Sequence, residues 1–457
     1  MARTTLGEVG VNGHRCRTLL PTIACFALAS VAAYDTATAG GFSVREQSTS
    51  GLGAAFAGVA AGYDLSSIYW NPAGVSIAQD IESETHVAFF AHQSHMTGTA
   101  TLEPLFGPNV ELPFLDHSSG EILSPAVVAA GYSAMPLNER LSIGAGVNSP
   151  FGLVTKPDHD NWAGKFEART SKLFTLNLNP VMSYKVTQRL AVGVGAQIEY
   201  VYASLKSAFP GIGGLMGPNP NAATHGDDIG FGYTVGLLWN PFEGTKLGLG
   251  FRSSIDHDIE GDFGVPGLAR VGASADLKTP ELATASIRQQ VAPRLTLLGT
   301  VEWSNWSNLS QVNVRARGSD PTFGVKPGDV ISSISLNWDD GWFFSGGAEF
   351  ELNERMTLRS GVAYEVSPIQ NPTQRTPRSP DTDRVWVSVG GTYAYSEMIS
   401  FDLAYSHVFF EDGSIDRATE IPGQGQIRLL GDVDTSTDLI AFSVKVKLGS
   451  HPPILLK

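Results

Sequence analysis

The chain is poor in cysteine, in charge and in long apolar runs. Its 457 residues include two cysteines, Cys16 and Cys25, and both fall within the first 39 positions. Once that segment is removed, the rest can build neither a disulfide nor a thiolate metal site. Charged residues make up 17% and the formal charge is −14, an acidic balance that argues against a nucleic-acid partner. Beyond residue 39 no run of 18 apolar residues remains, which excludes a bundle of membrane-spanning helices. A chain of this kind enters a membrane only as a closed barrel, the other architecture that pairs every backbone N–H and C=O.

The first 39 residues read as a secretory signal peptide. Arg3, Arg15 and Arg17 form a basic region, Thr18 to Ala33 an apolar stretch, and Ala37-Thr38-Ala39 a small-residue cleavage site. The stretch is too short for a membrane anchor, and Thr22 stands where a lipid-modified Cys25 would require Leu. With three basic and two acidic residues, this segment leaves the remainder one unit more acidic than the whole.

Glycine, at 50 residues, is abundant. From about Glu84 onward, apolar and polar residues alternate with period two, as in Met356–Tyr364, Val385–Tyr393, Phe401–Phe409 and Ile440–Leu448. Tyr364, Tyr393 and Phe409 collect at strand ends, like the aromatic girdle of a membrane barrel. Six short turns (136–141, 187–190, 241–247, 292–295, 353–356 and 396–399) alternate with seven long connections (100–123, 155–170, 209–225, 264–275, 311–330, 369–381 and 411–434). That alternation predicts an all-β, 14-stranded antiparallel transmembrane β-barrel with both ends on the periplasmic side; twelve and sixteen strands are the alternatives. The barrel is expected over 84–449, with a short tail over 450–457 that has no evident role.

Residues 40–83 break the pattern. They are rich in small residues, including Gly51, Gly53 and Gly58, and contain the turn Asn71-Pro72-Ala73-Gly74. A compact helical hatch inside the lumen is one reading and a disordered tail the other; Leu52, Phe56, Ile68 and Trp70 favour the hatch, because a tail would leave them in water. Pro150, followed by Gly152, interrupts the third strand over Arg140–Val154 and predicts a bend or a bulge there, since proline cannot donate to a ladder.

Gly41-Phe42, Ser50-Gly51-Leu52-Gly53 with Ala55 and Ala57-Gly58, Asp64, and Asn71-Pro72-Ala73 resemble the hatch of the long-chain fatty acid transporter family of outer-membrane proteins, which includes aromatic-hydrocarbon uptake channels. Asn148-Ser149-Pro150-Phe151-Gly152-Leu153, Trp162-Ala163-Gly164, Leu176–Pro180, Glu302–Ser307 and Pro380–Trp386 extend the resemblance over nearly all of the chain after residue 39. It implies a fourteen-stranded barrel with a small N-terminal hatch. It also implies a kink at Asn148, Ser149, Pro150, Phe151 and Gly152 that releases a hydrophobic cargo sideways into the outer leaflet. Family members carry basic residues where this chain reads Val201–Lys206: Lys206 matches and is the head-group candidate, whereas Ser204 departs. That departure leaves a neutral hydrocarbon or a modified lipid as alternatives to the long-chain fatty acid that the resemblance implies.

Ile212, Leu215, Met216, Leu268 and Val271 are candidates for an outer capture groove, or simply pack the loops together. The implied partners are a hydrophobic small molecule, outer-membrane lipid and lipopolysaccharide, with a lumen equally open to a detergent molecule; a monomer without cofactor or metal is expected. An enzyme is disfavoured because His92, His95, His257 and His407 lie in no nucleophile motif. An adhesin using acidic loops such as Gly431–Asp438 is the rival from a different class.

Overall fold

A computed structural model describes residues 40–210, 219–421 and 423–448. The signal peptide, the segment with Ile212, Leu215 and Met216, and the 450–457 tail lie outside the described residues. A single antiparallel sheet closes into a barrel of fourteen strands. In chain order they are β1 (Glu82–Pro104), β2 (Ala126–Pro136), β3 (Leu141–Asn148 and Gly152–Thr155), β4 (Thr170–Lys185), β5 (Leu190–Ala208) and β6 (Asn221–Trp239). Next come β7 (Thr245–Arg252 and Asp256–Val265), β8 (Ala269–Lys278 and Leu282–Ala292), β9 (Leu295–Ser304 and Gln311–Ala316) and β10 (Val330–Ser335 and Gly341–Asn353). The last are β11 (Met356–Val366), β12 (Arg384–Ala394), β13 (Ile399–Phe410 and Gly413–Ile421) and β14 (Gly425–Lys447). Closure is made by β1 against β14, in register from Glu82↔Lys447 to Pro104↔Gly425.

All six short turns lie at the end where β1 begins and β14 finishes. Their chemistry is local. Asn138 Oδ1 accepts from the backbone N–H groups of Arg140 and Leu141, Asn353 Oδ1 from those of Arg355 and Met356, and Ser396 Oγ from those of Met398 and Ile399. A short polar side chain thus takes up the N–H groups that the bend leaves free, beside the backbone bonds from Asn138 to Leu141 and from Ser396 to Ile399.

Two connections expected to be long are mostly strand. The β7–β8 hairpin turns at 266–268, and β13 runs to Ile421 before β14 begins at Gly425. Beyond the apolar band the outer face of a hairpin meets water, so the hydrophobic alternation fades. The backbone ladder persists, because it satisfies N–H and C=O groups whatever the side chains are.

The outward face carries the apolar residues of the alternation, among them Val194, Phe231, Leu249, Val362, Leu403 and Ile440, all exposed. Tyr184, Trp239, Tyr393 and Tyr395 ring the short-turn end of this band, and Trp342, Phe344, Tyr364 and Phe409 ring the other. Among the described residues no helix is long and apolar enough to cross a membrane.

Residues 40–81 fill the lumen. They contain one α-turn (Thr49–Leu52) and three 3₁₀ turns (Val59–Ala61, Leu65–Tyr69 and Pro72–Ile77). Their backbone touches the wall directly: a Cβ on Gly248 or Gly250 of β7 would collide with the carbonyls of Ala60 and Trp70, and one on Gly193 or Gly236 with Asn71–Ala73. Glycine on the inner wall therefore matches the small residues of the hatch. Buried ion pairs add fixed points: Arg45 to Glu302 at 2.7 Å and to Glu365 at 3.3 Å, and Lys445 to Asp64 at 2.7 Å.

Candidate functional site: an apolar cavity and a gap in the wall

The kink is a break in the wall between β2 and β3. Their ladder runs from Pro136↔Ser142 to Gly131↔Val147 and stops. Ala126–Ala130 of β2 continue to pair with β1, on their other side. On the opposite edge β3 stays bonded to β4, with Asn148↔Asn177 and then Gly152↔Phe174. Three residues, Ser149, Pro150 and Phe151, thus face two, Thr175 and Leu176. Thr175 absorbs the excess: its hydroxyl accepts from Phe151 N–H at 3.0 Å and donates to Phe151 C=O at 2.8 Å.

The hatch takes the place that β2 gives up. Val44 N–H donates to Pro150 C=O at 2.8 Å, and Gly152 N–H donates to Phe42 C=O at 2.8 Å. Gln47 Nε2 donates to Ser149 C=O at 2.8 Å. Ser43 and Phe151 are bridge partners. Four of the five kink residues, Ser149, Pro150, Phe151 and Gly152, therefore meet residues 42–47 of the hatch, while Asn148 stays paired with Asn177 of β4. In the sequence, kink and hatch read as separate features. Only the missing donor of Pro150 hints that this edge needs another partner.

Above the kink lies an apolar cavity of about 130 Å³, lined by Phe42, Leu153, Leu173, Ala203, Ile259 and Leu277 among others. Phe42 belongs to both features. Its ring packs against Trp306 (4.6 Å between centroids), Trp338 (5.7 Å) and Phe151 (6.0 Å). The volume is below the roughly 300–1,000 Å³ of pockets that enclose a drug-sized ligand. It admits an aromatic ring or a few methylenes, and a longer chain only if Phe42 moves.

The register turns Lys206 outward. Ala203 and Leu205 line the cavity, whereas the Lys206 side chain is exposed on the other face of β5. The cation held at this place is Arg378, from the 367–383 connection. Its guanidinium donates to the carbonyls of Thr170 (3.3 Å) and Lys206 (3.4 Å), to Ser171 Oγ (3.1 Å) and to the Glu167 carbonyl. It forms no salt bridge with a described carboxylate, and burial pushes it down to about 10. No periodic signal marks that connection, so nothing in the residue pattern singles it out.

Of the outer-groove candidates, Val271 is buried with Phe263, Val265, Ala273 and Val314, and Leu268 packs against that cluster. The hatch candidates hold its shape. Gly51 N–H donates to Ser48 Oγ, Gly53 approaches Gly390, and Gly58 adopts φ +79°, which a β-carbon disfavours. Asn71 Nδ2 donates to the Ala60 and Leu237 carbonyls, and its Oδ1 accepts from Ala73 N–H beside Pro72. Among the described residues no group of three or more His, Cys, Asp or Glu is placed to hold a metal ion.

Residues 29–448 match the family model described as outer membrane protein transport protein (OMPP1/FadL/TodX). The chain belongs to this family. Outer membrane protein P1 of Haemophilus influenzae is 27% identical over 418 residues, covering 84% of this chain and 88% of that protein. The long-chain fatty acid transport protein of Salmonella typhi is 24% identical over 426 residues, covering 86% and 92%. Among solved structures, a Pseudomonas aeruginosa FadL homologue superimposes with a TM-score of 0.78 at 24% identity, over 90% of this chain and all of that one. The Pseudomonas putida toluene transporter TodX gives 0.57 at 16%, over 85% and 95%. These structures share the fold. As a family member the chain is an outer-membrane transport protein of a Gram-negative cell, in a family of transporters and channels rather than enzymes.

Proposed function

We propose that this barrel carries long-chain fatty acids or similar hydrophobic compounds passively across the outer membrane, and releases them sideways between β2 and β3. One observation carries the reading: the wall is broken there, and the free edge of β3 is covered by hatch residues rather than by a strand. Cargo collects among apolar residues at the outer end and enters the cavity, where a carboxylate head finds Arg378. A chain too long for the cavity displaces Phe42. That movement strains the bonds from Phe42 and Val44 to the kink, about 1 kcal/mol net apiece, and uncovers the gap. Lateral release suits the cargo, because each buried methylene is worth about 0.8 kcal/mol and a path through periplasmic water would forfeit that gain. The barrel works as a monomer among lipid and lipopolysaccharide.

The small size of the cavity favours a second reading, uptake of single-ring aromatic hydrocarbons. Deleting the gene and measuring uptake of labelled hexadecanoate and toluene separates the two. Loss of the first supports the fatty-acid reading and loss of the second alone favours the other. Unchanged uptake of both removes the transport proposal.

A further inference from the structure

The inner lip of the gap carries polar atoms with nothing bonded to them. Asn148 is the last residue of β3 before the kink. It is 1% exposed, yet neither Oδ1 nor Nδ2 has a partner. Because both ends of the amide are free, its flip state does not matter. Asn177, directly across the ladder on β4, is also buried; its Nδ2 donates to Glu199 Oε2 at 2.9 Å while its Oδ1 is unpartnered. Gln47, whose Nε2 holds the Ser149 carbonyl, likewise leaves Oε1 unpartnered. Opposed residues of an antiparallel pair hold their Cβ atoms about 5 Å apart, so the two asparagines share one spot. A buried polar group without a partner has lost its water and gained nothing in exchange.

We propose that Asn148, backed by Asn177 and Gln47, is a binding site for the neutral head group of the departing cargo. The matching chemistry is one donor and one acceptor, as in a protonated carboxylic acid or an alcohol. Such a group donates O–H to Asn148 Oδ1 and accepts from Nδ2. A carboxylate has no donor and would leave Oδ1 unmet.

The surroundings agree. The side chains facing this spot are Asn177 and, beyond it, Glu199 from the barrel, Gln47 from the hatch, and Tyr132 from β2, whose hydroxyl donates to the Gln47 carbonyl at 3.0 Å. Glu199 is shared between Asn177 and His257. The cation nearby on the same wall, Arg252, is engaged by Gln197 Oε1 and the Tyr69 carbonyl. Among the described residues no unengaged cation therefore rewards a carboxylate here. The site is distinct from Arg378, which bonds Ser171, six residues further along β4 than Asn177 and so about 20 Å away. A head group met as an anion at the outer end takes its proton from solvent and leaves neutral, the form that a bilayer accepts. Past Asn148 it meets the inner face of β2, where Ala126, Val128 and Ala130 offer no polar side chain.

This inference rests on lateral release, and the test separates the two. Wild type, Asn148→Val and Asn148→Thr are placed in proteoliposomes, and delivery of hexadecanoic acid, hexadecan-1-ol and hexadecane to the bilayer is timed. Valine and threonine have the same shape and differ by one hydroxyl. We expect Asn148→Val to slow the acid and the alcohol roughly tenfold and to leave hexadecane unchanged, with Asn148→Thr recovering most of the loss. Equal slowing of all three, or no slowing of the two polar cargoes, overturns the site. Slowing of the acid alone also overturns it, since that would report charge. If Asn148→Val does not reach the folded electrophoretic form, Asn148→Ala replaces it under the same criteria. A wild-type barrel that delivers none of the three removes the transport reading itself, and with it this site; normal wild-type delivery with an indifferent variant removes only the site.

Discussion

Two seams flank the first hairpin of the barrel, and they are closed in opposite ways. Between β1 and β14 the ladder is unbroken over all 23 residues of each strand. Between β2 and β3 it ends at Gly131↔Val147, and residues 42–47 of the hatch cover the edge of β3 beyond that point. The first seam opens only if the barrel unfolds. The second can open by losing a few hydrogen bonds, each worth about 1 kcal/mol net, while every barrel strand keeps its other ladder. Under the proposed lateral release, the seam that stays shut is sealed by its own strands and the seam that opens is sealed by a plug.

The sharpest way to break this comparison is to lock each seam covalently. Beyond residue 39 the chain has no cysteine to interfere. Ser43 and Phe151 are bridge partners, so Ser43→Cys with Phe151→Cys places two thiols across the gap. Oxidation should stop uptake of hexadecanoate and a reductant should restore it, with the reduced double variant as its own reference. Phe89→Cys with Ile440→Cys, an opposed pair on the β1–β14 seam, should transport equally well in both redox states. If the second lock also stops uptake, the two seams do not differ as gate and weld.

A somewhat smaller loss is expected from repairing the break. Deleting Ser149 and replacing Pro150 by Val makes two residues face two and restores a backbone donor. β3 should then run on beside β2, and uptake should fall about tenfold or more, set by how often the hatch-free seam still parts. The heat-dependent gel shift of the folded barrel should persist. Normal uptake in a folded variant would show that cargo leaves by another route.

How much of this is legible in the sequence depends on whether a local rule governs the residue. The turns at Asn138, Asn353 and Ser396 and the outward apolar set are readable, because turn chemistry and a period of two act over a few residues. Pro150 is readable as a break for the same reason. Its consequence is not, since Val44 lies more than a hundred positions away and nothing in residues 42–47 reads as a strand. Residues 269–275 and 413–421 read as loop because their ladders stand where the alternation fades. Lys206 shows how parity decides a site: a shift of one residue moves a strand's side chains to the other face, and its ammonium points outward while Arg378 stands at the cavity. Arg378→Met should accordingly weaken hexadecanoate binding roughly tenfold, the scale of a hydrogen bond to a charged group, while Arg378→Lys keeps most of it and toluene binding is unaffected. Equal loss for both ligands in fluorescence titrations would reduce Arg378 to a structural strut.

The mildest expected effect concerns how firmly the plug holds its seam as pH changes. Glu46 lies in the hatch beside Arg45, Glu365 and Arg384; burial lifts its carboxyl to about 7, and neither oxygen has a hydrogen-bond partner. Its ordinary value is 4.5. Between these two values the docked hatch holds a proton that a freed segment would give up. Docking is therefore strongest at acid pH, weakens as pH rises through that window, and levels off above it, where a bare carboxylate stays buried. Hydrogen exchange of the amides of residues 42–47 should quicken from pH 5 to pH 8 beyond the intrinsic chemical rate, roughly tenfold or more, while the β1–β14 amides follow the intrinsic rate alone. Glu46→Gln should flatten the excess, because the amide is neutral throughout. If the variant keeps the wild-type excess, another group sets the grip of the plug, and the contrast between the seams is insensitive to pH through Glu46.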